Sequence, residues 1–427
     1  MHNALDPRDL VPDEAEQLVS AGYPAADLLA RARQAAADDD LTALATVETE
    51  LTALVRPADW PYDEPPAAPV ELPPAPVDED TLADRISGAW LGRCIGNTMG
   101  KPVEGLSRAE VQTYLRAADA WPLTGFVPYL ETPPEGIRPH LSAGEASDGR
   151  FDAIPRDDDI DWTMLGLHLL ETYGRGLTTD DVAREWLDRM PFTQTYTAER
   201  VAYRNLVAGL RPPLTATVRN PYREWIGALI RVDTYGYANP GDPAEAARLA
   251  LVDASLSHTA NGVYGAQWAA ALVAQALVAD SAAEALRVAV EVVPPNSRLA
   301  VSQRAVLELH TDGATAEEAL DWVDSALDYN WVHTLNNAAI ISTALLWGDG
   351  DYRRTLGLSV SAGRDTDSNA ATVGSTFGAL HGASAVPAEL VAQGNRIVRS
   401  AVRGFDRITI DELTTRTLAV RQALSPS

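Results

Sequence analysis

The chain holds one cysteine, Cys94, and one lysine, Lys101, in 427 residues. A single thiol excludes an internal disulfide and suits a reducing compartment, so a cytoplasmic location is expected. The scarcity of lysine beside abundant alanine reads as a composition bias, with arginine filling the other basic positions. Positive charge is short altogether: 34 lysines and arginines against 60 aspartates and glutamates leave a net charge of -26. That balance excludes nucleic-acid binding, which depends on cationic contacts to phosphates. The same field disfavours a long polyanionic substrate and favours a compact one that brings its own metal. Long apolar runs are missing too. The longest uncharged stretch, residues 259–279, contains Asn, Gln and several Gly and Ala, and reads as a buried helix rather than a membrane span. Residues 1–20 are acidic without an apolar core, so no secretory leader and no membrane partner are expected.

What is present is helical pattern. Hydrophobic residues make up 46% of the chain, enough for a substantial core. Ser107 with Glu110, Ser281 with Glu284, Thr315 with Glu318 and Thr409 with Glu412 have capping-box spacing, and Asp242-Pro243 sets a proline in a first helical turn. Strand-like alternation is scarce, which predicts an all-α fold. Residues 1–56 form an acidic, Ala-rich extension with a pair of helical patterns, whose Leu18, Leu28, Leu29, Leu41, Leu44, Leu51 and Leu54 are available to pack. Eight prolines between Pro57 and Pro76 then mark residues 57–79 as a semi-rigid linker or a strap. Residues 80–427 are expected to form one large helical domain. Within it the Pro- and Gly-rich stretch 121–150 reads as a long loop able to act as a lid.

Three elements carry chemistry. The first is the run Asp365-Thr366-Asp367-Ser368, in which an Asp-x-Asp sets two hard oxygen ligands on one side of a turn and Ser368 adds a third oxygen. Mg²⁺ and Mn²⁺ want oxygen ligands of this kind. The second is Pro155-Arg156-Asp157-Asp158-Asp159, after which Ile160, Met164, Leu167 and Leu170 keep helical spacing. These aspartates stand at a helix start, where one or two serve as caps. Three consecutive carboxylates repel one another, and a bound cation is the usual cure. The third is Gly96-Asn97-Thr98-Met99-Gly100-Lys101-Pro102-Val103-Glu104-Gly105, a glutamate set in a glycine-bearing loop that permits close backbone approach.

In this order and combination the three elements resemble the ADP-ribosylglycohydrolase family, over roughly residues 80–425. Residues 224–227, 236–243 and 257–265 resemble one bacterial branch of it. The resemblance implies a compact all-α domain holding two Mg²⁺ ions, with Mn²⁺ as a substitute. It implies hydrolysis of a glycosidic bond at ribose C1, in an ADP-ribosylated protein or a small ADP-ribosyl or ribosyl molecule. Asp158, Asp159, Asp365 and Asp367 would hold the metals, supported by Asp157 and Ser368. Glu104 and Asp158 are the expected catalytic groups, and Arg364, His258 and Asn261 the expected substrate contacts.

The chain departs from the family pattern at several places. Asp157 stands where the family has Thr or Ser, Asn97 where it often has Asp, Ile160 in place of Thr, and Arg364 in place of the second Gly of the last motif. Two other readings compete. Asp157-Asp158-x-x-Asp161 matches the DDxxD motif of helical isoprenoid synthases, but no second metal motif follows and five phenylalanines are few for a cation-stabilising pocket. A non-catalytic binding protein on the same fold is the other, because fold does not fix function.

Overall fold

The computed structural model describes residues 5–424. Among these residues the regular structure is twenty-one α-helices, a few 3-10 turns and one antiparallel ribbon that pairs Ile397–Val398 with Ile408–Thr409. The fold is all-α.

Two helices, Glu79–Gly100 and Thr366–His381, lie against each other with their backbones in contact. The cause is a stripe of glycines, Gly88, Gly92, Gly96 and Gly100, which recur every four residues and so share one face. A Cβ added at Gly92 would sit 1.9 Å from the carbonyl oxygen of Gly374, and one at Gly96 2.0 Å from that of Ala370. One at Gly100 would sit 2.2 Å from the carbonyl of Thr366. No larger residue fits without forcing the helices apart. The pairs run in opposite order along the two helices, so the C-terminal end of the first meets the N-terminal end of the second. Those are the ends that carry the first and last sequence motifs.

The helix Asp158–Tyr173 brings the middle motif to the same place. Ile160, Met164, Leu167 and Leu170 are all buried on it, as their spacing predicts. Arg93 of the first helix ties down its first turn by donating to the Asp159 carbonyl at 2.7 Å while pairing with Asp233 at 2.7 Å. The uncharged run seen in the sequence becomes the helix Ala260–Ala276, buried from Asn261 to Ala276. Reciprocal capping boxes form at Ser107/Glu110 and Thr315/Glu318. At Ser281 the hydroxyl accepts from the Glu284 amide, while the Glu284 carboxylate turns instead to the Asp280 amide.

The N-terminal region has three helices, Pro7–Ser20, Ala26–Ala37 and Leu41–Thr52, where the pattern suggested a pair. The break lies at Asp38-Asp39-Asp40: Asp39 takes a positive φ of 58°, and Asp40 caps the next helix by accepting from the amides of Thr42 and Ala43. Val11, Leu18, Leu28, Leu44 and Leu51 make a small core of their own. The proline-rich segment is a strap held to the main body. Its Asp63 amide donates to the Asn296 carbonyl at 3.0 Å, its Ala75 amide to the Gly241 carbonyl at 2.7 Å, and Glu64 pairs with Arg298 at 2.7 Å. No described helix is long and apolar enough to cross a membrane.

Candidate metal centre

The glycine-mediated contact fixes two loops side by side. After Gly100 a 3-10 turn, Lys101–Val103, leads to Glu104; opposite it Asp365 opens the helix that starts at Thr366. The loops also pair through their backbones. The Arg364 amide donates to the Leu106 carbonyl at 2.7 Å and the Gly105 amide to the Arg364 carbonyl at 2.9 Å. Thr366 Oγ1 closes the contact by donating to the Gly100 carbonyl at 2.7 Å.

Six acidic residues from three motifs converge here, and five of them fall into two overlapping groups. Carboxylate oxygens of Glu104, Asp365 and Asp367 lie within 4.8 Å of one another, and so do those of Asp157, Asp159 and Asp367. Asp367 belongs to both. Ser368 links the last motif to the middle one, its hydroxyl donating to Asp159 Oδ1 at 3.1 Å. Asp157 caps the helix Asp158–Tyr173 by accepting from the Asp159 amide at 3.1 Å. The sixth residue, Asp158, sits on the same turn outside both groups.

Burial and mutual repulsion dominate the electrostatics of these carboxylates. Burial first, then the charges of Asp157 and Asp365, hold the Asp367 carboxyl well above the usual range. Burial and the neighbouring Glu104 and Asp159 do the same to Asp365, and burial with Asp367 and Asp157 to Glu104. Asp158 is pushed up to about 7 by burial and by Asp157. Asp157 is the exception. Burial opposes its ionisation, but the Lys101 ammonium overcomes this and brings it down to about 2.

Lys101 is thus no product of composition alone. The one lysine of the chain is buried in the acidic centre, donating to Asp157 Oδ2 and, at 2.6 Å, to the Arg156 carbonyl. His140 was also missed from the sequence. It reaches in from the 121–150 loop, with Nε2 3.5 Å from Glu104 Oε2 and its amide donating to the Pro102 carbonyl. A histidine in a Pro- and Gly-rich loop carries no spacing signal that could have placed it there.

Three residues expected at a substrate have other partners. Arg364 turns its guanidinium to Asp324 at 2.9 Å and to the Leu327 carbonyl, away from the two aspartates that follow it. Its backbone, with φ at 68°, occupies the left-handed region, as does Gly363 before it at 71°. His258 is buried beside Ser257, which it meets at 2.8 Å through Nδ1, and beside Glu199 at 4.0 Å. Asn261 donates to Glu64 and Glu224 and accepts from the Leu299 amide, which anchors the strap. Asp161, the last carboxylate of the DDxxD pattern, accepts from Arg156 at 2.7 Å, from Ser400 at 2.6 Å and from the Ala401 amide. It is consumed by these donors, which removes the basis for the isoprenoid-synthase reading. A cavity of about 410 Å³, lined by Leu18, Tyr23, Glu48, Leu51, Arg219 and Arg223 among others, lies between the N-terminal helices and the main body; none of the six acidic residues of the centre lines it.

No curated protein matches the sequence. A solved structure described as an ADP-ribosylglycohydrolase-related protein complex aligns with 81% of this chain and 100% of its own at 20% identity. Its TM-score is 0.44, too loose a superposition to support any inference about the site. The model of the family described as ADP-ribosylglycohydrolase matches residues 78–424, a span that takes in all three motifs of the acidic centre. The chain belongs to the ADP-ribosylglycohydrolase family.

Proposed function

We propose that the chain is a divalent-metal-dependent hydrolase that cleaves a glycosidic bond at ribose C1, in an ADP-ribosylated protein or a small ADP-ribosyl or ribosyl molecule. The observation that carries this reading is Asp367, shared between two carboxylate groups drawn from three separate motifs. The donor set suits Mg²⁺ or Mn²⁺: all ligands are hard oxygens, and their mutual repulsion calls for a cation. Glu104, Asp365 and Asp367 would hold an ion on one side, and Asp157, Asp159 and Asp367 would face a second position. When bound, such a metal supplies positive charge that orients ribose hydroxyls and a water.

The chain's own groups supply the proton transfers. Cleavage at C1 joins a water oxygen to the carbon as the bond to the leaving group breaks, through an oxocarbenium-like transition state. Glu104, about a quarter exposed, is the carboxylate positioned to take the proton of that water. Burial and the neighbouring Asp367 raise its proton affinity. Asp158, poised at about 7, returns a proton to the departing group. His140 flanks Glu104 and closes that side of the centre. The single cysteine, Cys94, is buried and its thiol pushed up to about 12 by burial, so it takes no part in the chemistry; it is in keeping with work in the reducing cytosol.

The test is turnover by metal-loaded protein of ADP-ribosyl-arginine, ADP-ribosyl-serine and a panel of free N-ribosides. We expect release of the sugar product from at least one class, abolished by chelation. Tight binding of ADP-ribose with no turnover of any member would instead support a binding protein on this fold.

A further inference from the structure

The two carboxylate groups that share Asp367 differ in what already occupies their oxygens. Around Asp157 and Asp159 every one is taken. Asp157 Oδ2 accepts from the Lys101 ammonium, and Asp157 Oδ1 from the Asp159 amide at 3.1 Å. The buried Asn97 side-chain amide lies between the two residues, donating at 3.0 Å to Asp157 Oδ1 and at 2.9 Å to Asp159 Oδ2. Ser368 takes Asp159 Oδ1. Around Glu104, Asp365 and Asp367 fewer are taken, with the Ser368 amide donating to Asp367 Oδ1 at 3.0 Å. Among the described residues none of these three has a lysine or arginine within ion-pair distance, and Glu104 meets only His140 at 3.5 Å.

The residue types follow the same division. Lys101 is the only lysine among 34 lysines and arginines. It stands in a tight turn after Gly100, with its compact ammonium between a backbone carbonyl and a carboxylate. Its partner there is the buried Asp157 carboxylate. A cation and an anion thus appear together at the position that faces the second metal.

We propose that this centre takes one divalent ion, at Glu104, Asp365 and Asp367, and that the Lys101 ammonium is the resident cation of the second position. The inference rests on the metal-dependent reading above and goes beyond it in the number of ions. The ammonium delivers one fixed positive charge against Asp157, acts on Asp367 through space, and donates hydrogen bonds. Unlike a metal ion, it is not lost on dilution or chelation.

The test counts Mn²⁺ on the full-length protein after removal of metal, by electron paramagnetic resonance titration with free ion measured at each step. The wild type should saturate at one Mn²⁺ per chain, with a spectrum free of Mn–Mn coupling. Lys101→Met should saturate at two, with coupling appearing because both ions share Asp367. Removing the ammonium alone leaves Asp157 uncompensated, so the double variant Lys101→Met/Asp157→Thr, which preserves local charge balance, is measured beside it and should also reach two. Two coupled ions in the wild type would overturn the inference and leave the hydrolase reading intact. So would a count that stays at one in both variants. No bound Mn²⁺ in the wild type would overturn both. A second readout uses the same lysine: protein labelled with ¹⁵N-lysine has one side-chain ammonium signal. That signal should stay protected from solvent at saturating Mg²⁺; its collapse to a solvent-exposed signal would mean that a metal has displaced Lys101.

Discussion

Glu199 and Asp253 are as deeply buried as Asp365 and Asp367, yet the two pairs have opposite surroundings. The first pair encloses Arg231, which reaches Glu199 at 2.6 Å and also pairs with Asp253, while Tyr235 and Ser257 satisfy the remaining atoms. Each of these two carboxylates is paired with a guanidinium within the fold. The second pair meets no guanidinium; besides Ser368 and the more distant Lys101 ammonium, its neighbours are other carboxylates. Buried carboxylates closed off by arginine hold helices together, whereas a buried carboxylate cluster without one could hold a cation from solution. The contrast separates structure from site without reference to any relative.

The comparison can be broken at either end. The largest effect is expected at the metal centre: Asp367→Ala should lower kcat/KM by about 10³-fold or more, the several kcal/mol that a bound metal contributes to a charged transition state. The melting temperature of the metal-free protein should not fall, because a mutually repelled carboxylate has been removed. Steady-state kinetics and calorimetry check both halves, and a near-native rate would remove Asp367 from the centre. The opposite result is expected at the structural network. Arg231→Met leaves Glu199 and Asp253 buried and unpaired, and should cost about 3–5 kcal/mol of stability by denaturant unfolding.

The third expectation concerns pH. Asp158 titrates at about 7 when folded, and Glu104, Asp365 and Asp367 lie well above their ordinary range, against about 4 for free carboxyls. With folded values raised, the folded state binds more protons than the unfolded one across this window. Metal-free stability from these groups is therefore full below about pH 4 and declines as pH rises through the folded values. A divalent ion offsets that decline, so saturating Mg²⁺ should raise the melting temperature more at about pH 8 than at about pH 5.5. Equal gains at both would contradict it.

The smallest effect is expected at Arg364. Replacing it by Gly relieves a left-handed backbone at a cost of about 1–2 kcal/mol and loses a partly exposed pair with Asp324 worth less than about 1 kcal/mol. Stability should rise slightly, with KM unchanged within about twofold. A large rise in KM would show that the guanidinium leaves Asp324 to meet the substrate.

The acidic centre was legible because Asp-x-Asp and the aspartate triple are local patterns, and the order of the motifs tied them together. The helix starting at Asp158 was legible from apolar spacing, and the buried helix Ala260–Ala276 from its long run without charge. The glycine stripe Gly88-Gly92-Gly96-Gly100 was readable as a four-residue period, but its partner, 280 residues away at Gly374 and Ala370, was not. The setting of Lys101 was hidden for the same reason. Its acceptors lie more than fifty residues downstream, and a lone lysine in an arginine-rich chain resembles a compositional accident. The partners of Arg364 were not legible, because sequence adjacency to Asp365 says nothing about direction. A left-handed backbone at residue 364 sends the side chain toward the helix Ala316–Ala326.

The claim that the uncompensated carboxylates form a metal centre is tested most directly by calorimetric titration of Mn²⁺ into the metal-free wild type and into Asp367→Asn. The account predicts saturable binding in the wild type and its loss in the variant, since Asp367 serves both carboxylate groups. Binding of equal affinity in the two proteins, or none in the wild type, would contradict it.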